Sequence, residues 1–475
     1  MSPKRRPEED TPPETTGPRP AKRAGAAPSG TGPRPVADSP PTPGADHSGD
    51  SYLPQHGNGG YTTRFYDLDL DYRVGPNRLA AHARIEATAT QALSRFSLDL
   101  AGLRPTRVLV DNKPARFAHR GHKLYVTPAR PIPNGAAFAV EVRYAGNPRP
   151  ISGEWGDIGW DELTEGSLVA SQPVGAPSWF PCNDHPADKA GYRVTVTTDS
   201  PYTVLATGHR TEHRRGGSTT TWVYDRPEPT STYLMGVHIG RYEEREIATG
   251  LVSQKAAYPP RLRAPFLHDF ARHGEIMEQL QLLFGPYPFE DYQIVVTDDD
   301  LDDPIEAQGL SVFGANLVDG RRTHERLIVH ELAHQWFGNS LTVADWRHIW
   351  LNEGFATYSE WLWSERSGGP SADLHARQWH ARIAASPQDL VLADPGAHRM
   401  FDERVYKRGA LTLHALRHRL GDGRFFAMLL AWTADHRHGT VTTDQFTALA
   451  TSYAQAPLTD LFDAWLFSPA LPALR

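Results

Sequence analysis

Five residues, His330-Glu331-Leu332-Ala333-His334, restrict this chain more than any other stretch in it. On a helix, residues four apart are turned by roughly 400°, so His330 and His334 stand one above the other and can face a single ion. Glu331 lies about 100° round, beside that ion and not on it. A catalytic zinc takes three protein ligands and keeps a fourth position for water, which leaves this helix one ligand short. Glu353 is the candidate. The 18 residues between His334 and Glu353 suffice to end one helix at Gly338, loop from Asn339 to His348 and begin a second helix. Thr323 is placed to cap the first helix with Glu325 in its first turn, and Gly338 suits a left-handed residue past its end. Asn352 is the expected cap of the second helix and Ser367-Gly368-Gly369 its stop. Glu360, seven residues after Glu353 on the same face, is either a carboxylate held behind a zinc histidine or a surface acid.

Taken with the run Trp350-Leu351-Asn352-Glu353-Gly354-Phe355-Ala356-Thr357-Tyr358, the pentapeptide and its spacing resemble the gluzincin aminopeptidases, the zinc family that includes membrane alanyl aminopeptidase and leukotriene hydrolase. The resemblance runs from about Tyr61 to Leu474. It implies an α+β multidomain fold: an N-terminal antiparallel β-sandwich or saddle domain, then a thermolysin-like, mainly helical zinc peptidase domain. It also implies a short form, without the C-terminal helical domain into which many relatives continue. The expected cofactor is one Zn2+ per chain on His330, His334 and Glu353. Such an ion lowers the pKa of its water toward about 7, and Glu331 would take the proton and return it to the leaving amine. Tyr406 and Gly409 match the family's YxKG pattern, with Arg408 in the lysine position, and the resemblance makes the Tyr406 hydroxyl a donor to the oxyanion. Glu306 aligns with the glutamate of GxMEN that binds the substrate's free α-ammonium; Asp303, Ile305 and Ala307 depart from that pattern. Gln172, in an aromatic and proline-rich loop, would reach the substrate amine from the β domain. The implied partners are peptides with a free N-terminus. An endopeptidase of the same fold and an inactive peptide-binding scaffold stand as alternatives, and no feature requires epoxide hydrolysis.

Composition sets the remaining bounds. A chain of 475 residues, 39% hydrophobic, can bury more than one core. A net charge of -7 leaves no footprint for nucleic acid or anionic membrane. Cys182 is the single cysteine, so no intrachain disulfide can form, and it reads as a packed loop residue. No run of 18 apolar residues occurs, so no membrane span is expected. The basic N-terminus is not followed by an apolar stretch of signal-peptide length, which makes the cytoplasm the expected location. Nothing in these features specifies an oligomeric state.

Three segments are expected. Residues 1–58 hold 13 of the 40 prolines and little that could build a core, which predicts a disordered tail: a flexible leader, or a docking tail through segments such as Pro33-Arg34-Pro35. Residues 59–246 form the β domain. Tyr66, Leu68, Leu70 and Tyr72 alternate with Asp67, Asp69 and Asp71 at the period of a strand with one wet face, and the pattern recurs through Trp222 and Tyr224. Residues 247–475 form the catalytic domain, opened by a helix through Phe266, Ile276 and Leu283 that ends at Gly285.

Overall fold

The computed structural model describes residues 40–250 and 252–474. The alternation near residue 66 becomes the strand Tyr61–Arg73, on which Tyr66, Leu68, Leu70 and Tyr72 are fully buried while Asp69 and Asp71 face solvent. This strand lies inside an eight-stranded sheet in the order His209–Arg215, Thr219–Thr230, Ala190–Asp199, Tyr61–Arg73, Arg78–Ala89, Ala137–Gly146, Arg104–Val110, Lys113–Pro114. Its pairing with Arg78–Ala89 is antiparallel, as expected, but its pairing with Ala190–Asp199 is parallel. The expected antiparallel domain is therefore mixed. A parallel pair cannot be closed by a tight turn, and the chain between these two strands builds much of two further sheets.

One of these has four strands, Thr42–Pro43, Leu93–Asp99, Lys123–Thr127 and Arg116–Arg120; the other has five, Ile151–Gly153, Gly156–Leu163, Gly166–Ala170, Val237–Gly240 and Thr203–Ala206. Their inner faces share one core, in which Tyr66 stacks on Tyr192 with centroids 4.8 Å apart. Trp160, Trp179 and Phe180 pack into the same core. The loop carrying Gln172 thus also closes this core, with Cys182 free and buried in it as anticipated.

A separate five-stranded sheet begins at Glu243: Glu243–Thr249, Ser253–Tyr258, Asp291–Val296, Leu310–Phe313 and, at its edge, Ile305–Ala307. Around it lie helices α1 (Arg263–Asp269), α2 (His273–Phe284), α3 (Glu325–Ala333), α4 (Trp350–Arg366), α5 (Ala372–Ala384), α6 (Glu403–Leu420), α7 (Asp422–Asp435), α8 (Thr443–Tyr453) and α9 (Thr459–Phe462). The single helix expected through Phe266 and Leu283 is broken into α1 and α2. Asp269, at the break, accepts from the backbone N–H groups of Gly320 and Arg322 at 2.8 Å each, a tertiary demand that apolar spacing does not register. Gly285 ends α2 at φ +88°. Among the described residues no helix is long and apolar enough to cross a membrane.

The expected disordered tail needs correction where it is described. Residues 1–39, including Pro33-Arg34-Pro35, lie outside the described residues, but residues 40–58 are seated on the body. The carboxylate of Asp50 accepts from the Trp346 backbone N–H (3.1 Å), Ser51 donates through N and Oγ to Asp345 (3.0 and 2.5 Å), and Asn58 bonds to Asp99 and Asn183 (2.7 Å each). Polar side chains fix this segment to both halves, so its shortage of apolar residues misled. Lys189 adds a second tie: its buried ammonium, just before the strand Ala190–Asp199, donates to the carbonyls of Asn339, Ser340 and Gly439 at 3.0, 2.9 and 3.3 Å.

Candidate active site

Helix α3 puts Ile328, Val329, Leu332 and Ala333 into the core and turns its histidines the other way, toward a cleft of about 490 Å³. Its start differs from expectation: Thr323 does not cap it, because its hydroxyl donates to Asp319 at 2.6 Å, and His324 holds the cap position without a side-chain bond. Glu325 in the first turn pairs with Arg272 instead, with Nε 2.8 Å from the carboxylate. At the far end α3 stops at Ala333 and not at the expected Gly338; Gly338, beyond a further turn, has φ +115°, and a Cβ there would stand 3.2 Å from Nδ1 of His334, so both conformation and space select glycine. Helix α4 starts at Trp350 and not at Asn352, which falls in its first turn with Glu353; Ser367 ends it, and Gly368 follows at φ +86°.

The two helices bring His330, His334 and Glu353 together, all buried. Glu353 Oε2 lies 3.5 Å from His330 Nε2 and 3.4 Å from His334 Nε2, with the two rings inclined at 75°. Donors on a tetrahedral ion with bonds of about 2.0–2.1 Å stand about 3.3–3.4 Å apart, so these separations fit a zinc ion. Each imidazole is oriented from behind: Nδ1 of His330 meets Glu360 Oε1 at 2.8 Å, and Nδ1 of His334 meets the Phe337 carbonyl at 3.0 Å. With those nitrogens as donors, both Nε2 lone pairs face the same point. Glu360 is buried, so the surface-acid alternative is excluded; Arg326 reaches its other oxygen at 3.4 Å.

Glu331 is 3% exposed, and its Oε2 has no hydrogen-bond partner in the protein, an orphan that a water or substrate proton would satisfy. Burial pushes its carboxyl well above the usual range; the imidazoles oppose this and the charges of Glu306 and Glu353 add to it. Burial would raise Glu353 too, but the facing imidazoles hold it below its ordinary value. His330 and His334 are both raised: burial works against the charged rings, and the carboxylates outweigh it, Glu353 with Glu360 at His330 and Glu353 chiefly at His334.

Tyr406 comes from the first turns of α6 and lies over His330, centroids 6.1 Å apart and planes at 20°. It gets there because α4 and α6 almost touch: a Cβ on Gly409 would meet the Gly354 Cα at 2.7 Å. Burial, reinforced by Glu353 and Glu306, keeps its hydroxyl protonated far above neutral pH. Glu306, on the edge strand, and Gln172, from the β half, both line the cleft, and the Gln172 side-chain N–H₂ has no partner. Asp303 lines it as well. Every candidate side chain named from the sequence thus faces one cavity. Sequence reasoning assigned no role to Trp155, Arg326, Phe401 or Lys407, which also line the cleft. Trp155 and Phe401 meet edge to face at 6.2 Å on the cleft wall. No spacing rule marks an isolated aromatic in a hairpin.

A β half followed by a helical half that holds an HExxH helix and a downstream glutamate on one point defines a zinc peptidase of the gluzincin type. Comparison with known proteins agrees: the Peptidase M1 N-terminal domain matches residues 62–234 and the Peptidase family M1 domain matches residues 271–465. The M1 zinc metallopeptidase from Deinococcus radiodurans superposes with a TM-score of 0.82 at 31% identity, covering 90% of this chain and 98% of that one. The chain belongs to peptidase family M1. Leucine aminopeptidase 2 of Eremothecium gossypii is 25% identical over 87% of this chain and 69% of its own length. Aminopeptidase M1 of Arabidopsis thaliana is 25% identical over 65% of this chain, and this chain spans only 37% of that protein.

Proposed function

We propose that the protein is a zinc aminopeptidase that removes the N-terminal residue of peptides, using one catalytic ion per chain held by His330, His334 and Glu353. The donor types and their spacing support zinc, which would supply a Lewis acid and an acidified water. Glu331 takes the water's proton and hands it to the leaving amine; its unpartnered oxygen and raised carboxyl pKa suit that exchange. The Tyr406 hydroxyl, kept protonated by burial, donates to the developing oxyanion. Gln172, lining the same cleft from the β half, would accept from the substrate ammonium through its side-chain carbonyl oxygen. We divide the protein between a β domain, residues 59–246, and a catalytic domain, residues 247–475; the new sheet that starts at Glu243 supports a division there.

Glu306 carries the exopeptidase reading. Its carboxylate faces the cleft beside the metal donors, where burial raises its pKa, the His334 ring opposes that rise and Glu353 adds to it; an α-ammonium there would complete the charge balance and set the first peptide bond over the ion. A mutant of the Deinococcus M1 zinc metallopeptidase is seen bound to a Tyr-Ser-Ala substrate, and mutants of a two-domain M1 zinc metallopeptidase are seen bound to L-tryptophan and to L-arginine. The test is Glu306→Gln assayed on aminoacyl amides and on N-acetylated peptides. Losing an ion pair of about 1.5–3 kcal/mol should cut kcat/KM on free-amine substrates by roughly 10- to 100-fold. Cleavage of the acetylated peptides by the unmodified protein would make it an endopeptidase.

A further inference from the structure

A second cluster lies outside the cleft. His414 and His418, one turn apart on α6, bring their Nε2 atoms to 3.1 Å with rings inclined at 69°. Asp373, in the first turn of α5, places Oδ1 3.5 Å from the first nitrogen and 3.7 Å from the second. These three edges bracket the separation of about 3.3–3.4 Å between donors on a tetrahedral ion, and they resemble the 3.4 and 3.5 Å edges in the cleft.

The surroundings complete the arrangement. Tyr358, on α4, meets Nδ1 of His414 at 3.2 Å, so that nitrogen can donate and leave the Nε2 lone pair turned inward, as Glu360 does for His330. Asp373 uses its other oxygen on Arg377, which steers Oδ1 toward the rings. Arg417 is occupied by Asp422 at 2.8 Å and Glu365 at 3.6 Å, so its charge is offset. His414 is buried while the His418 side chain is 50% exposed, which opens the cluster to solvent.

We propose that Asp373, His414 and His418 form a second, solvent-accessible site for a divalent cation that favours imidazole, such as Zn2+ or Co2+, with water in the remaining position. An ion there joins α5 to α6 and, through Tyr358, to α4, the two helices that carry Tyr406 and Glu353. Its role is structural, since the ion ties three helices together; the cavity of about 490 Å³ beside it, lined by His418, Arg419, Asp460 and Trp465, shares no residue with the cleft.

Protein stripped of metal with a chelator is titrated with Co2+, following bound metal by elemental analysis and the visible spectrum. The unmodified chain should take up two equivalents. His418→Ala and Asp373→Asn should each take up one, with peptide hydrolysis unchanged. His334→Ala should also take up one, with hydrolysis lost. Uptake of a single equivalent by the unmodified chain, or the same stoichiometry in His418→Ala as in the unmodified chain, overturns the proposal. If His334→Ala still binds two while His418→Ala binds one, the second site stands and the reading of the cleft fails.

Discussion

Arg408 occupies the place where the family pattern has lysine, and the structure explains what the larger side chain does. It is 3% exposed and donates to the carbonyls of Leu390 (3.1 Å), Trp465 (3.0 Å), Ser468 (2.5 Å) and Pro469 (2.8 Å), with Ala464 and Ala470 at the margin. A guanidinium offers five donors in a fixed fork, whereas an ammonium offers three, so lysine would leave buried carbonyls unpaired. Arg408→Lys should therefore lower stability by about 2–4 kcal/mol, read as the shift in urea midpoint at unchanged slope. Glu360 tests a different link, from orientation to metal affinity. Glu360→Gln keeps the shape but weakens the hold on the His330 ring, and zinc affinity measured against a competing chelator should fall roughly 10- to 100-fold. His330, Glu331 and His334 were legible because ligand chemistry imposes helical spacing, and Glu353 because a third ligand was needed and an 18-residue gap leaves room for a second helix. The Arg408 receptacle was not, because backbone carbonyls carry no sequence signature.

At the scale of elements, the approach of α4 to α6 decides where Tyr406 stands. Alanine is intrinsically better than glycine in a helix by about 1 kcal/mol, but the Cβ of Gly409→Ala would sit 2.7 Å from the Gly354 Cα, a backbone atom that cannot swing aside. The clash wins. We expect Gly409→Ala to cost about 1–3 kcal/mol and to lower kcat more than it raises KM, since it moves the Tyr406 hydroxyl and leaves Glu306 in place; thermal melting and steady-state kinetics read the two effects. Strand and helix identities were largely readable from periodicity, as in Tyr61–Arg73 and α6. Element ends were less so: Thr323 turns its hydroxyl to Asp319, four residues back, and leaves the cap position to His324, while Asn352 lies inside the first turn of α4 with no side-chain partner.

For the whole molecule, two histidines buried away from the cleft tie stability to pH. His238, on the strand Val237–Gly240, has no partner for either ring nitrogen, and His273 has one, Gln254 at 2.6 Å. Burial drives both down to about 3 from an ordinary 6.5. Between those values the unfolded chain takes up protons that the folded chain refuses, so stability falls as pH drops from 6.5 toward 3. His238→Leu should flatten that decline, with its advantage over the unmodified protein growing to a few kcal/mol by the low end, as measured by denaturant unfolding across pH. The sequence by itself determined that His330, Glu331, His334 and Glu353 meet in one cleft, the two fold halves and the identity of most elements, because helical and strand periods and ligand spacing are local rules. Only the tertiary structure decided the parallel pairing in the large sheet, the seating of residues 40–58, the aromatic wall of Trp155 and Phe401, and the meeting of Asp373 with His414 and His418. Those depend on which distant surfaces come into contact, and contact between distant surfaces is settled by packing and by the pairing of buried polar groups.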